Sequence, residues 1–139
     1  MTAAAPTLLV DTSVLVSVER TGRPPEELLA RIGSRLVSVA AITASELLHG
    51  VHRAGTAVQR SRREHFVETA LSLFPVLPFD LAAARVHAAI WADLASRGEP
   101  IGAHDLQIAA TALAAGLALL TVNQRHFDRV AGLEVELWR

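Results

Sequence analysis

Short runs of consecutive apolar residues alternate along the chain with longer segments in which apolar residues recur every three or four positions. Short continuous runs are typical of strands buried on both faces, whereas the longer spacing is typical of amphipathic helices. The runs predict four strands, and a weaker alternation near the C-terminus indicates a fifth strand at a sheet edge. The predicted strands cover residues 7–10, 35–39, 74–77, 117–122 and 133–138.

Helices are predicted between these strands. Asp80 is a favourable N-cap, and Gly98 and Gly116 are typical of helix ends. The predicted helices cover residues 13–20, 24–32, 43–53, 57–73, 81–97 and 103–115, with one further turn at 124–127. Strands separated by helices form parallel sheets with right-handed crossovers. The pattern therefore predicts one α/β domain over residues 1–139, with a central parallel sheet of four to five strands flanked by helices.

Composition limits the classes of protein that fit this pattern. The chain is 51% hydrophobic and 19% charged, which suffices for a core and argues against disorder. It has no cysteine, so disulfides and thiolate metal sites are excluded. The longest apolar stretch, 108–122, is shorter than the roughly 18–20 residues that cross a bilayer, and the N-terminus lacks the basic start of a secretory signal. We therefore expect a cytoplasmic protein that does not enter a membrane.

The charge of the whole chain does not predict a partner. The net charge is −1, and all 13 basic residues are arginine. Two local groups, Arg60 with Arg62 and Arg63, and Arg125 with Arg129, could bind phosphate through forked guanidinium contacts. A solvated helix face explains such groups equally well.

Four carboxylate or carboxamide side chains follow predicted strands or begin predicted helices. They are Asp11, Glu46, Asp105 and Asn123. In an open α/β sheet these positions converge on one crevice beyond the carboxyl ends of the strands. Hard oxygen ligands are what Mg²⁺ and Mn²⁺ prefer. The positions therefore indicate a site for a divalent metal ion and a phosphodiesterase reaction.

Each acidic residue also has a structural explanation. Asp11 could cap the first helix, Glu46 could form a capping box with Thr43, and Asp105 could interact with the dipole of its helix. Several carboxylates brought together without a cation would repel one another, and one of them would take up a proton. The joint pattern favours a metal site over three separate caps.

Four segments of the chain resemble the PIN-domain ribonucleases, and among them the VapC toxins of type II toxin–antitoxin systems. These segments are residues 8–15, 42–50, 105–112 and 120–127, in the order that the family shows. The resemblance implies an endoribonuclease that uses Mg²⁺ or Mn²⁺ and cleaves RNA with water, leaving a 5′-phosphate. It also implies a homodimer and a small cognate antitoxin that covers the acidic groove.

The resemblance also implies roles for individual residues. Asp11, Glu46 and Asp105 would hold the metal ion, and Asn123 occupies the position where the family often has a fourth acid. The hydroxyl groups of Thr12 or Ser13 and of Thr121 would orient a ligand, water or phosphate nearby. Asp128 is close enough in sequence to compensate for the missing acid at Asn123. By sequence alone, His126 reads as a surface or packing residue and His104 as an exposed residue at a helix start.

Two other functions remain open at this point. A PIN-like module that binds RNA or protein without cleaving is one, because Asn123 replaces an acid. An α/β phosphohydrolase acting on a small phosphate ester is the other. The second lacks support, since Asp11 is followed by Thr12 and Ser13 rather than by a second aspartate two positions later, and no glycine-rich phosphate loop follows the first strand.

Overall fold

Five parallel strands form the central sheet of the computed structural model, which describes residues 7–33 and 35–139. The strand order is β3-β2-β1-β4-β5, and every neighbouring pair is parallel. The strands are β1 (Thr7–Val10), β2 (Leu36–Ala40), β3 (Val76–Leu77), β4 (Ala118–Thr121) and β5 (Val135–Leu137). This arrangement confirms the predicted α/β fold, including the edge strand near the C-terminus.

Seven helices connect and cover the strands in the described part of the chain. They are α1 (Thr12–Arg20), α2 (Glu26–Ile32), α3 (Ala41–His52), α4 (Ala57–Leu73), α5 (Leu81–Ser96), α6 (Ala103–Ala115) and α7 (Gln124–Phe127). Asp80 caps α5 as predicted, since its carboxylate accepts a hydrogen bond of 3.0 Å from the Ala83 amide. Gly116 ends α6 in the left-handed conformation, with φ of 69°.

The two faces of the sheet carry separate hydrophobic clusters. Leu8 and Val10 of β1 pack with residues of α1, α2, α3 and α4, whereas Leu9 packs against α5, α6 and α7. Leu8, Leu9 and Val10 have no exposed surface. Because β1 is central and covered on both faces, the chain must leave the sheet at its carboxyl edge, where Asp11 follows directly.

The third strand is shorter than the predicted 74–77. Phe74 is the C-cap of α4 and is buried there. Pro75 has no amide hydrogen to donate to a ladder, and it takes part only through its carbonyl group, which accepts from the Val39 amide at 3.0 Å. The strand is therefore reduced to Val76–Leu77 at the edge of the sheet.

Two of the helix-cap interpretations are wrong. The side chain of Asp11 makes no capping hydrogen bond to α1. Helix α3 begins at Ala41, immediately after β2, so Thr43 lies inside the helix and cannot form a capping box with Glu46.

Within residues 7–33 and 35–139, no helix is long and apolar enough to cross a membrane. Residues 1–6, on which the absence of a secretory signal rests, lie outside the described residues.

Candidate active site

The four predicted residues line one groove at the carboxyl edge of the sheet. Asp11 follows β1, Asn123 follows β4, Glu46 lies in the middle of α3, and Asp105 lies in the first turn of α6. The open groove that they line has a volume of about 760 Å³. We call it the acidic groove. The crossovers thus bring together side chains that are up to 112 positions apart in the chain (123 − 11).

Asp11 is the buried member of the group, with 3% of its surface exposed. Its backbone amide continues the β1–β4 ladder by donating to the Leu120 carbonyl at 2.8 Å. Its carboxylate accepts hydrogen bonds from the hydroxyl groups of Ser13 (2.6 Å) and Thr121 (2.7 Å). Both hydroxyls donate to Oδ2, and no described residue donates to Oδ1. The carboxylate is therefore held in orientation while one oxygen is left for a ligand.

A second hydroxyl contact orients Glu46. The Thr12 hydroxyl donates to Oε1 of Glu46 at 2.7 Å, and the hydroxyl oxygen of the fully buried Thr43 lies 3.0 Å from that of Thr12. The start of α1 therefore fixes a carboxylate of α3. Thr12, Ser13 and Thr121, predicted as nearby hydroxyls, all contact the carboxylates themselves. Their roles in catalysis stay predictions.

Two histidines make contacts that the sequence interpretation missed. Nδ1 of His126 lies 3.2 Å from Oδ2 of Asp105, and Nδ1 of His104 lies 3.4 Å from Oε2 of Glu46. Both histidines remain more than half exposed. His126 lines the acidic groove. No local pattern could reveal its contact, because Asp105 and His126 are 21 positions apart and belong to different helices.

Asn123 and Asp128 differ in their relation to the groove. Asn123 is exposed in the groove lining, and its backbone amide donates to the Thr121 hydroxyl at 3.0 Å. Asp128 lies at the opposite end of the short helix α7 and is not among the residues that line the groove. Asp128 is therefore not one of the residues that share the groove with the other acids, and its role stays a prediction.

Burial and charge act together on Asp11. Burial raises the pKa of its carboxyl group above the usual value, the hydrogen bonds from Ser13 and Thr121 lower it, and the negative charges of Asp105 and Glu46 raise it further. The net pKa shift is upward. A buried carboxyl group with a raised pKa loses its proton more readily when a cation binds nearby. The positive charge offsets both the free-energy cost of burying the carboxylate and its repulsion by neighbouring carboxylates.

The residues present fit a hard divalent cation. No three His, Asp or Glu side chains of the described residues are grouped closely enough to hold one ion by direct contacts alone. Mg²⁺ usually keeps several water molecules and binds through one or two carboxylates plus a substrate phosphate. The oriented Asp11 carboxylate, with one oxygen not engaged, and the nearby Glu46 and Asp105 match that mode of binding.

Comparisons with known proteins agree on a family. The model of the PIN domain matches residues 8–133. Ribonuclease VapC1 of Rickettsia felis is 38% identical over 128 residues, which cover 92% of this chain and 93% of the relative. The tRNA(fMet)-specific endonuclease VapC of Shigella flexneri is 36% identical over 100 residues, covering 72% and 74%.

A solved structure is also similar over nearly the whole chain. It is a chain in the crystal structure of DNA-bound VapBC from Salmonella typhimurium, with a TM-score of 0.84 and 30% identity, covering 96% of this chain and 99% of the other. Sequence relatives and the fold lead to one conclusion. The chain belongs to the PIN-domain family, among its VapC ribonucleases.

Proposed function

We propose that this chain is a metal-dependent endoribonuclease toxin of a type II toxin–antitoxin system, and that residues 1–139 form one nuclease domain. The observation that carries the proposal is the position of the buried Asp11 carboxylate. It lies at the carboxyl end of the central strand, is held by two hydroxyl groups, and lines one groove with Glu46 and Asp105. The names of the relatives, ribonuclease and endonuclease, support the same activity.

The acidic residues would act together on a divalent cation, Mg²⁺ or Mn²⁺, bound by the Asp11 carboxylate and reached by Glu46 and Asp105 directly or through water molecules in its shell. Such an ion lowers the pKa of water and neutralises charge that develops on a phosphate during displacement. Ser13 and Thr121 keep the Asp11 carboxylate in orientation, and Thr12 does the same for Glu46. Carboxylates alone would repel a phosphodiester, so substrate binding in this groove depends on the cation.

Asn123 has a supporting role in this arrangement. Its amide lines the groove beside the acids, where a carbonyl oxygen can contact a cation or a hydrated ion and an amide nitrogen can donate to a phosphate oxygen. It carries no charge, so it contributes less to cation binding than an aspartate at that position would.

An antitoxin partner fits the half-buried carboxylates of Glu46 and Asp105 in the groove. An arginine from such a partner would pair with two oxygens at once, and it would occupy the space that the cation and the phosphate need. VapBC from Salmonella typhimurium and FitAcB from Neisseria gonorrhoeae are among the proteins whose solved structures resemble this chain, each at 30% identity. Because the RNA and the antitoxin of such systems are encountered inside the cell, a cytoplasmic location is part of the proposal.

Cleavage of labelled total RNA by the purified chain, freed of any partner, tests the function. We expect discrete fragments with Mn²⁺ or Mg²⁺, loss of cleavage with EDTA, and 5′-phosphate ends on the products. Asp11→Asn and Asp105→Asn should abolish turnover without unfolding the protein. Asp93→Asn is a matched control, because Asp93 is an exposed acid of α5 that pairs with Arg97 away from the groove.

Two results would contradict the proposal. Products that end in a 2′,3′-cyclic phosphate would show attack by the RNA itself rather than by water. RNA binding that persists in EDTA, with no cleavage in any metal, would instead indicate the inactive binding module that the asparagine at position 123 leaves open.

A further inference from the structure

A second groove adjoins the acidic groove and is lined by four arginines. It lies between the end of α1, the loop that leads to α2, and the outer face of α4, and its volume is about 850 Å³. The arginines are Arg20, Arg23, Arg62 and Arg63, and we call this surface the arginine groove. Arg20 lines both grooves, so the two surfaces are continuous.

We propose that the arginine groove binds the sugar-phosphate backbone of the RNA substrate on one side of the cleavage site, with Arg20 and Arg62 as the principal phosphate contacts. The inference rests on the proposed ribonuclease function and extends it to the path of the substrate. It gives Arg62, which belongs to an arginine group seen in the sequence, a specific partner, and it adds Arg20, which also lines the acidic groove.

The charge distribution creates the need for such a surface. The chain has a net charge of −1, and the acidic groove concentrates Asp11, Glu46 and Asp105. A bound cation can compensate the phosphate at the cleavage site, but the neighbouring phosphates of the strand would still be repelled. Phosphate contacts supply most of the affinity of proteins for nucleic acids. An RNA strand therefore requires basic side chains close to the acids.

The arginines differ in how free they are to bind phosphate. Arg63 lies 3.7 Å from the carboxylate of Glu19 and donates to the Gly50 carbonyl at 3.0 Å. Arg23 pairs with Glu27 at 3.2 Å. Arg20 and Arg62 form no ion pair with any residue in 7–33 or 35–139. Two guanidinium groups thus remain available, one of them at the boundary with the acidic groove.

The excess of positive charge in the arginine groove favours a polyanion. Two acids, Glu19 and Glu26, face four arginines in its lining, and Glu19 is paired with Arg63. Phe66, the aromatic residue of the lining, is buried, whereas the side chains of Arg20 and Arg62 are exposed. Guanidinium groups bind phosphate oxygens in a forked geometry, so the surface matches a phosphodiester chain.

Salt-dependent binding of a labelled oligouridylate tests the inference. We would use the Asp11→Asn protein to prevent cleavage and compare it with the same protein carrying Arg20→Gln or Arg62→Gln. Each lost contact with a single strand should reduce the slope of log K against log salt by about 0.7, which corresponds to roughly fivefold weaker binding at 0.1 M salt. Arg85→Gln is the matched control, since Arg85 is an exposed arginine of α5 that lines neither groove.

Kinetics give a second readout in the protein with an intact acidic groove. Arg62→Gln should raise KM for a long RNA and leave kcat unchanged, because Arg62 lines only the arginine groove. Thermal denaturation checks that the exposed substitutions leave the fold intact.

Three results would overturn the inference, and they are distinguishable. If wild type cleaves RNA but both variants bind like Arg85→Gln, the groove does not contact the substrate, and the ribonuclease proposal stands. If the variants keep RNA affinity but release a copurified partner protein, the groove serves that partner. If wild type neither binds nor cleaves RNA, the proposed function fails as well.

Discussion

The Thr121 hydroxyl donates a hydrogen bond of 2.7 Å to Oδ2 of Asp11, although the two residues are 110 positions apart. The contact follows from the parallel pairing of β1 with β4, in which Val10 lies opposite Leu120. Asp11 and Thr121, which directly follow this pair of residues, therefore lie together at the carboxyl edge of the sheet. Buried carboxylates that ligate metals are themselves commonly hydrogen-bonded, and those bonds set their orientation. Thr121 is therefore a positioning residue for Asp11.

Thr121→Val should reduce cleavage while preserving the fold. Valine has the shape of threonine but cannot donate, so Asp11 would keep only the bond from Ser13. Loss of a partner behind a metal ligand costs about 10- to 100-fold in metal affinity or activity. We expect a loss in that range, measured as kcat on a cleaved RNA, together with weaker Mn²⁺ binding by calorimetry.

Thr111→Val is the matched control for this substitution. Thr111 is also a buried threonine, but its hydroxyl donates to the Gln107 carbonyl within α6 and not to the site. It should change stability without changing metal affinity. Equal effects of the two substitutions on metal affinity would contradict a specific role for Thr121.

The raised pKa of Asp11 predicts how the stability of the metal-free protein depends on pH. Between the ordinary value of 3.8 and the raised value, the folded protein holds more protons than the unfolded one. Stability should therefore fall as the pH rises through this interval. Below the ordinary value, the group is protonated in both states and contributes no difference.

The comparison of wild type with Asp11→Asn isolates this contribution. We would measure the free energy of unfolding by urea in EDTA at a series of pH values. Asp11→Asn should become more stable relative to wild type as the pH rises, and saturating Mg²⁺ should reverse that order. If the free energies of unfolding of the two proteins differ by a constant amount from acid to neutral pH, the pKa of Asp11 is not raised by folding.

Asn123→Asp should strengthen cation binding. The side chain lines the groove and is exposed, so an added carboxylate meets little burial cost. We expect Mn²⁺ to bind on the order of 10-fold more tightly, which corresponds to about 1.4 kcal/mol. Asp128→Asn should leave the affinity unchanged, because Asp128 does not line the groove. A large loss with Asp128→Asn would instead make that residue a ligand.

We propose that an exposed aromatic surface, formed by Phe79 just before α5 and by residues of α5, is the interface of a homodimer. The ring of His87 contacts two aromatic rings edge to face, that of Phe79 at a centroid distance of 5.4 Å and that of Trp91 at 5.7 Å. The side chain of Trp91 is 61% exposed. Contiguous exposed apolar patches commonly mark interaction sites. Trp91→Glu should shift the protein from dimer to monomer in sedimentation velocity.

Val58→Glu provides the control for that shift. Val58 is 62% exposed near the start of α4 and does not belong to this aromatic surface. We expect it to leave the oligomeric state unchanged. A wild-type protein that sediments as a monomer at all concentrations would contradict the dimer.

The strand and helix pattern could be predicted because its causes are local. Continuous apolar runs such as Leu8 to Val10 predict buried strands, and the Asp80 cap and the Gly116 stop depend only on neighbouring residues. Where local signals competed, the prediction failed. Thr43 with Glu46 matches a capping box in sequence, yet the helix begins two residues earlier, because it continues directly from β2.

The acidic residues of the site could be located, whereas their supporting contacts could not. Asp11 and Asn123 follow strands, and the end of a parallel strand in an open sheet is where sites form. The bond from Thr12 to Glu46 and the contact of His126 with Asp105 join separate helices. Such contacts depend on how α1, α3, α6 and α7 are arranged around the sheet edge, which no local pattern encodes.

The sequence by itself determined the order of strands and helices, the parallel α/β class and the positions of four polar residues at element ends, because hydrophobic periodicity and capping act over a few residues. The tertiary structure alone decided which groups meet. It placed β1 between β2 and β4, which joins Asp11 to Thr121, and it brought Arg20 of α1 and Arg62 of α4 to the lining of one groove. The physical reason is that such contacts depend on strand order and helix packing, which result from interactions between residues far apart in the sequence.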